Sequence, residues 1–255
     1  MHEEIAEDWT AYAAESVLLD GFHALKHALR FGARVPVAVA RDPQAALALA
    51  GELAPDLTGA LDALLRPVSE AALRELVPRP HPTGVAALAL RATAPDPPAT
   101  PDRTAPLVVL DHPRNLGNVG AVVRLAAGCG AAGVLTTGTA DPWHPAAVRA
   151  SAGLHFATAV ARREAATLPA GPLYAFDPEG ADLRSFTLPG NAMLAFGSER
   201  HGLSDALRDR ADHLVSLPMR PQVSSFNLAT SVAMALYHWM ASPEARSAPP
   251  GRRSG

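Results

Sequence analysis

The chain has 255 residues, 48% of them hydrophobic, with 22 Lys or Arg against 25 Asp or Glu and a formal net charge of −3. The length suits one large domain or two small ones with a substantial core, and no apolar run is long enough to span a bilayer. A single cysteine, Cys129, excludes an intrachain disulfide and argues against a cysteine-based metal site. The charge balance carries no compositional sign of nucleic-acid binding. Lys26 is nevertheless the only lysine, so every other basic residue is arginine, a side chain that binds phosphate with two fixed hydrogen bonds. The acidic opening "MHEEIAEDWT" does not read as a signal or transit peptide, and a cytoplasmic protein is expected.

In chain order, residues 16–91 form a first unit. "VLLDGFHALKHALRFGARVPVAVA" predicts strand, turn, amphipathic helix and strand, with Leu25, Ala28 and Leu29 on one helical face, and "GVAALAL" predicts a closing strand. The proline-rich "RATAPDPPATPDRTAP" follows. Proline removes backbone donors and blocks helix, so this stretch marks a linker and a boundary. Beyond it, short apolar strands ("LVVL", "GVLTT", "LYAF", "AMLAF", "HLVSL") alternate with helices ("NVGAVVRLAAGCG", "PAAVRASAG"). That pattern predicts a parallel sheet covered on both faces. The expected division is 1–92, a linker at 93–105, 106–242, and a disordered Pro/Ser/Gly-rich tail at 243–255.

Ligands of open parallel sheets sit beyond the carboxyl ends of the strands. Three stretches rich in Gly and polar residues are candidates there: "DHPRNLGNVGAVVR" (111–124), "GSERHGLS" (197–204) and "PMRPQVSSFNLATSVAMALYHW" (218–239), a polar loop that runs into an apolar helix. Gly128, Gly130 and Gly133 spell G-x-G-x-x-G but end a helix and precede a strand, so they predict a helix C-cap instead of a dinucleotide site. No G-x-S-x-G elbow supports a serine hydrolase, and the ten histidines do not pair with carboxylates at ligand spacing.

Taken in order, these loops resemble the motifs of the SpoU-type (TrmH-like) RNA ribose 2'-O-methyltransferases, members of the SPOUT knotted methyltransferases. "RNLGNVGAVVRLAAGCGAAGV", "LAFGSERHGLS" and "LVSLPMRPQVSSFNLATSVAMAL" correspond to the first, second and third motifs, and "VRASAGLHFATAV" between the first two also fits. The likeness runs from 107 to 239. "LLDGFHALKHAL" and "HPTGVAALAL" are similar to a ribosomal-protein-like RNA-binding domain found ahead of the catalytic domain in rRNA-directed members. Two departures stand out: Ser225-Phe226-Asn227 where Ser-Leu-Asn is common, and Arg200-His201 where many members have Gly.

The resemblance implies an α/β protein: a small α/β RNA-binding domain, then a parallel-sheet domain closed by a deep trefoil knot, a rare exception to unthreaded topology. It implies a homodimer that transfers a methyl from S-adenosyl-L-methionine, leaving S-adenosyl-L-homocysteine, to a ribose 2'-OH, with rRNA favoured over tRNA and no metal or membrane. Gly197, Leu217, Phe226, Met219, Ser225 and Gly202 would hold the cofactor, and Arg124, Asn115, Glu199 and Asn227 the reacting centre. Arg124 would lie nearest the hydroxyl. As a guanidinium it stays protonated, which suits phosphate binding and alkoxide stabilisation better than a base's role. Asn115 would hold the loop or the ribose, or only an Asx turn. Glu199 would orient Arg124 or Asn227, or complement a helix dipole. Asn227 would cap a helix within the site. Arg114, Arg149 and Arg220 are candidate RNA-phosphate contacts. The alternatives are a tRNA methyltransferase, a non-catalytic knotted RNA-binding relative and a Rossmann-type oxidoreductase.

Overall fold

The computed structural model describes residues 2–98 and 102–242; the middle of the expected linker, 99–101, and the expected tail, 243–255, lie outside the described residues. The chain forms two compact units, Met1–Pro95 with Trp143–Ala157, and Asp96–Pro142 with Thr158–Gly255. The segment Trp143–Ala157 therefore groups with the first unit, although sequence order sets it inside the second.

In the first unit, α1 (His2–Ala13) precedes β1 (Ser16–Asp20), α2 (Phe22–Arg30), β2 (Val37–Ala40), α3 (Pro43–Leu53), α4 (Thr58–Leu64), β3 (Leu65–Pro67), α5 (Glu70–Leu76) and β4 (Val85–Leu90). The sheet order is β1-β4-β2-β3, with β4 antiparallel to both β1 and β2 and β3 parallel to β2. The acidic opening is helical because Ile5, Trp9 and Tyr12 recur at helix spacing and bury one stripe against Val37, Val39 and Leu88. The later segment adds α7 (Pro145–Ala150) to this unit. Arg149 of α7 pairs with the buried carboxylate of Asp20 at 2.9 Å, and His27 Nδ1 lies 2.9 Å from the Ala152 carbonyl oxygen.

The second unit is built on β5 (Leu107–Leu110), α6 (Leu116–Cys129), β6 (Gly133–Thr136), β7 (Ala159–Arg162), β8 (Leu173–Asp182), β9 (Met193–Phe196), α8 (Asp205–Arg210), β10 (His213–Ser216) and α9 (Leu228–Ala241). Its sheet is parallel throughout, in the order β10-β8-β9-β5-β6-β7. Every residue of β5, β6 and β9 is buried, which explains their continuous apolar sequences. Gly130 ends α6 at φ 72°, a left-handed conformation, and its N–H donates to the carbonyls of Ala126 and Ala127, so the glycine-rich stretch is a helix C-cap. β8 departs most from its predicted extent, running to Asp182 where "LYAF" ends at Phe176. β10 pairs Leu214 with Ala175 and then Val215 with Ala181, so residues 176–180 of β8 have no partner in β10, although Phe176 still pairs with Phe196 of β9. No helix among the described residues is long and apolar enough to cross a membrane.

Candidate active site

The carboxyl ends of β8, β9 and β10 open onto a cleft of about 640 Å³. Its floor is apolar. Phe176 and Phe196 stack with centroids 4.4 Å apart and planes 13° from parallel, and Val215 and Leu217 adjoin them. The end of the β8–β9 ladder at Phe176 and the residues after it bring Phe176, Asp177 and Pro178 to one wall. Arg208 satisfies the Asp177 carboxylate at 2.9 Å, so that charge is neutralised within the fold.

The opposite wall is a tight hairpin, closed by Ser198 N–H to Gly202 O at 2.9 Å and Gly202 N–H to Ser198 O at 3.0 Å. It can close only because residue 197 is glycine: a Cβ there would stand 2.0 Å from the Gly202 carbonyl carbon. The third wall is the stretch between β10 and α9, which contributes Met219, Ser224, Ser225, Phe226 and Asn227. Every residue expected to hold a cofactor (Gly197, Gly202, Leu217, Met219, Ser225, Phe226) thus lines one cleft.

A network of amides and a carboxylate occupies the rim. Asn115 is the N-cap of α6, its side chain accepting from Gly117 N–H at 2.9 Å and Asn118 N–H at 3.2 Å. Asn227 caps α9 in the same way, accepting from Ala229 N–H at 2.9 Å and Thr230 N–H at 3.4 Å. Between them stands Asn118, which the motif reading passed over. Its Nδ2 donates to Glu199 Oε1 at 2.9 Å, and its Oδ1 accepts from Asn227 Nδ2 at 3.2 Å. With Glu199 ionised, this relay has one orientation: a carboxylate only accepts, so Asn118 turns its nitrogen to Glu199 and leaves its oxygen for Asn227. Each of the two amides retains one N–H that this network does not use.

Burial pushes the Glu199 carboxyl up. Hydrogen bonds from the Asn118 side chain and from the backbone of Glu199, Arg114 and Asn115 outweigh that and hold it below the ordinary carboxylate range. Glu199 thus sits in the 198–202 hairpin, bonded to Asn118 and through it linked to Asn227, and not in the first turn of a helix.

The remaining candidates lie elsewhere. Arg124 is on the exposed face of α6 and is not among the residues lining the cleft. Arg114 and Arg220 are exposed, in the loops leading into α6 and α9. Arg149 belongs to the first unit, where Asp20 and the Arg79 carbonyl take its guanidinium. Among the described residues no group of three or more His, Cys, Asp or Glu side chains is placed to hold a metal ion. Asn118 had one signal in the sequence: it follows Asn115 by three residues, one helical turn, in the same motif.

The SpoU rRNA Methylase family model matches residues 105–237. The 23S rRNA (uridine(2479)-2'-O)-methyltransferase of Streptomyces viridochromogenes is 34% identical over 145 residues, covering 51% of this chain and 50% of that protein. The chain thus spans about half the length of the curated relatives it matches. The AdoMet complex of the SpoU methyltransferase AviRb from the same organism superposes with a TM-score of 0.70 at 25% identity, covering 91% of this chain and 95% of that one. An AdoMet-bound rRNA methyltransferase from Sinorhizobium meliloti shares the fold, with a TM-score of 0.73 at 24% identity over 92% of this chain and 94% of that one. With residues 105–237 of its 255 matched by the family model, the chain belongs to the SpoU rRNA Methylase family.

Proposed function

We propose that the protein methylates a ribose 2'-OH of large-subunit rRNA, using S-adenosyl-L-methionine. The observation that carries the reading is the juxtaposition of an apolar-floored cleft with the Glu199–Asn118–Asn227 relay at its rim. The residues fit the cofactor. The volume suits a nucleoside-sized ligand, the Phe176–Phe196 pair offers an apolar floor for a base, and Gly197 leaves backbone alone on one wall.

When bound, the cofactor supplies a methyl that is already electrophilic on a sulfonium, so the chemistry itself calls for no metal. The chain must then align the ribose oxygen and manage its proton. Glu199, held ionised, places a negative charge beside the cleft and offers free lone pairs to a hydroxyl proton. The spare N–H groups of Asn118 and Asn227 are donors for the oxygen as negative charge develops on it. Both are fixed beforehand by the relay, so neither has to reorganise during transfer. Arg124, on the outer face of α6, contacts the RNA backbone, as do Arg114 and Arg220.

The first unit serves as the RNA substrate-binding domain; the resemblance of its sequence to ribosomal-protein-like domains supports this. The trefoil knot has a specific support. β10 lies at one edge of the sheet, whereas α9 packs on α6, which follows the interior strand β5. The chain between them crosses the cleft through residues 217–227, and we place the threading there. Homodimerisation is supported by α9, whose outer face exposes Met234, Tyr237 and Met240, the tyrosine by 73%. A second copy covers that face.

The test is transfer of labelled methyl from S-adenosyl-L-methionine to 23S rRNA, with mass-spectrometric mapping of the modified ribose. A ribose methyl on large-subunit rRNA is expected. RNA binding with no methylated product, or a methyl found only on tRNA, would overturn the reading.

A further inference from the structure

Asp111 follows β5 and is 1% exposed, yet the proposed transfer makes no use of its carboxylate. Its backbone N–H donates to the Phe196 carbonyl at 2.8 Å, which carries the β5–β9 ladder one residue further and sets Asp111 beside Gly197. The side chain spans outward in two directions. Oδ1 accepts from Thr137 Oγ1 at 2.5 Å and Oδ2 from the Ser204 backbone N–H at 2.6 Å. Thr137 is itself fixed, its N–H on the Leu110 carbonyl at 3.0 Å and its Oγ1 taking the His112 N–H at 3.1 Å. Ser204 is the foot of the loop that begins at Gly197 and bears Glu199 near its tip.

We infer that Asp111 is a positioning residue: it fastens the foot of the 197–204 loop to the ends of β5 and β6, and so sets where Glu199 meets Asn118. The loop is then held at two points, by Asp111 at its foot and by the Glu199–Asn118 bond of 2.9 Å at its tip. A glutamate on an exposed hairpin would otherwise sample many rotamers, and holding one long side chain in a single geometry has an entropic cost that only a fixed loop keeps low. The Asp111 backbone N–H, which a side-chain variant keeps, still ties the Phe196 carbonyl just ahead of Gly197. The carboxylate therefore governs the reacting rim more than the cofactor wall. This inference rests on the methyl transfer proposed above.

The experiment compares the full chain with Asp111→Asn, Glu199→Gln and the double variant, using 23S rRNA and S-adenosyl-L-methionine. An amide can still take the Ser204 N–H on its oxygen and turn its N–H to Thr137 Oγ1, so Asp111→Asn keeps the shape and removes the charge assistance from both bonds. Exchanging two charge-assisted bonds for weaker neutral ones should loosen the loop and lower kcat about tenfold. The KM for the cofactor and the affinity for S-adenosyl-L-homocysteine should stay within about threefold, as for a residue outside the cofactor's contacts. Because Asp111 acts through Glu199, the double variant should be no slower than Glu199→Gln alone, whereas a merely structural role would make the two losses multiply. Amide hydrogen exchange across residues 198–204 should rise in Asp111→Asn whether or not transfer is detected. Unchanged exchange, an unchanged kcat in an active background, or multiplying losses would each overturn the inference. Absence of transfer by the parent chain would instead sink the function proposed above and leave exchange to judge the anchor. Should Asp111→Asn not fold, Thr137→Val removes one anchor and is held to the same measurements.

Discussion

The N-termini of α6 and α9 are locally alike and differ in what they can do. Each begins with an asparagine whose Oδ1 accepts from the backbone N–H groups two and three residues on. Each cap is worth about 1 kcal/mol to its helix. Asn115 spends its oxygen on that task, and its cap is a local matter. Asn227 also turns its Nδ2 across to Asn118, a residue 109 positions away in sequence, and so joins the relay that reaches Glu199. One residue type in one local role thus becomes a structural cap at one helix and part of a prospective site at the other. What separates them is the partner that the fold delivers.

That contrast can be broken most sharply at Asn118, the residue both helices converge on. Asn118→Ala should lower methyl transfer by roughly 10²–10³-fold, the range seen when a fixed donor to developing charge is removed. S-adenosyl-L-homocysteine affinity by calorimetry should change little. A transfer rate near that of the parent would take the relay out of the reaction. Next in size, Gly197→Val forces a Cβ into the Gly202 backbone and should cost about 1–3 kcal/mol of stability. It should also weaken S-adenosyl-L-homocysteine binding, because the hairpin wall has to move; unaltered affinity would show that this wall is not part of the cofactor site. Arg124→Ala, outside the cleft, should raise the KM for RNA about tenfold, the worth of one charge-assisted hydrogen bond, and leave cofactor affinity untouched. Steady-state titration of each substrate separates the two.

Smaller still, and aimed at the comparison itself, Asn115→Ala and Asn227→Ala should each lower stability by about 1 kcal/mol on chemical denaturation. Only the second should also slow transfer. Equal effects on transfer would dissolve the distinction. The smallest effect is in pH. The Glu199 carboxyl is held below its ordinary value in the folded chain, so the native state binds fewer protons than the unfolded one in that window. The stability this contributes is present above the ordinary carboxylate value and is lost as pH falls through the lower folded value. Transfer should stay level down to the ordinary carboxylate range and drop only below it. In Glu199→Gln that acid limb should vanish.

Much of the fold was legible because the parallel sheet writes itself into short, wholly apolar runs. "LVVL" is β5 residue for residue, and "AMLAF" overshoots β9 by one. Legibility failed where a segment's role depends on distant contacts. "LYAF" is only the first part of β8, because the strand runs on past a stretch that has no partner in β10. α7 reads as a helix of the second unit, but its Arg149 finds a carboxylate in the first. The acidic start of α1 hides an apolar stripe of only three side chains.

The residues expected around the cofactor fall in one cleft because they are glycines, apolar side chains and helix starters in loops after strands. Asn118, Asp111 and the Phe176–Phe196 floor were not legible, since each has an ordinary local explanation as a helix residue, a strand end or a core aromatic. The order of residues by itself determined the helix and strand periods, the caps and the motif loops, because those depend on neighbours within a turn or two. The relay, the hairpin's close approach and the anchor of the 197–204 loop were decided only by tertiary structure, because a hydrogen bond between side chains far apart in the chain exists only once the sheet has set its strands side by side.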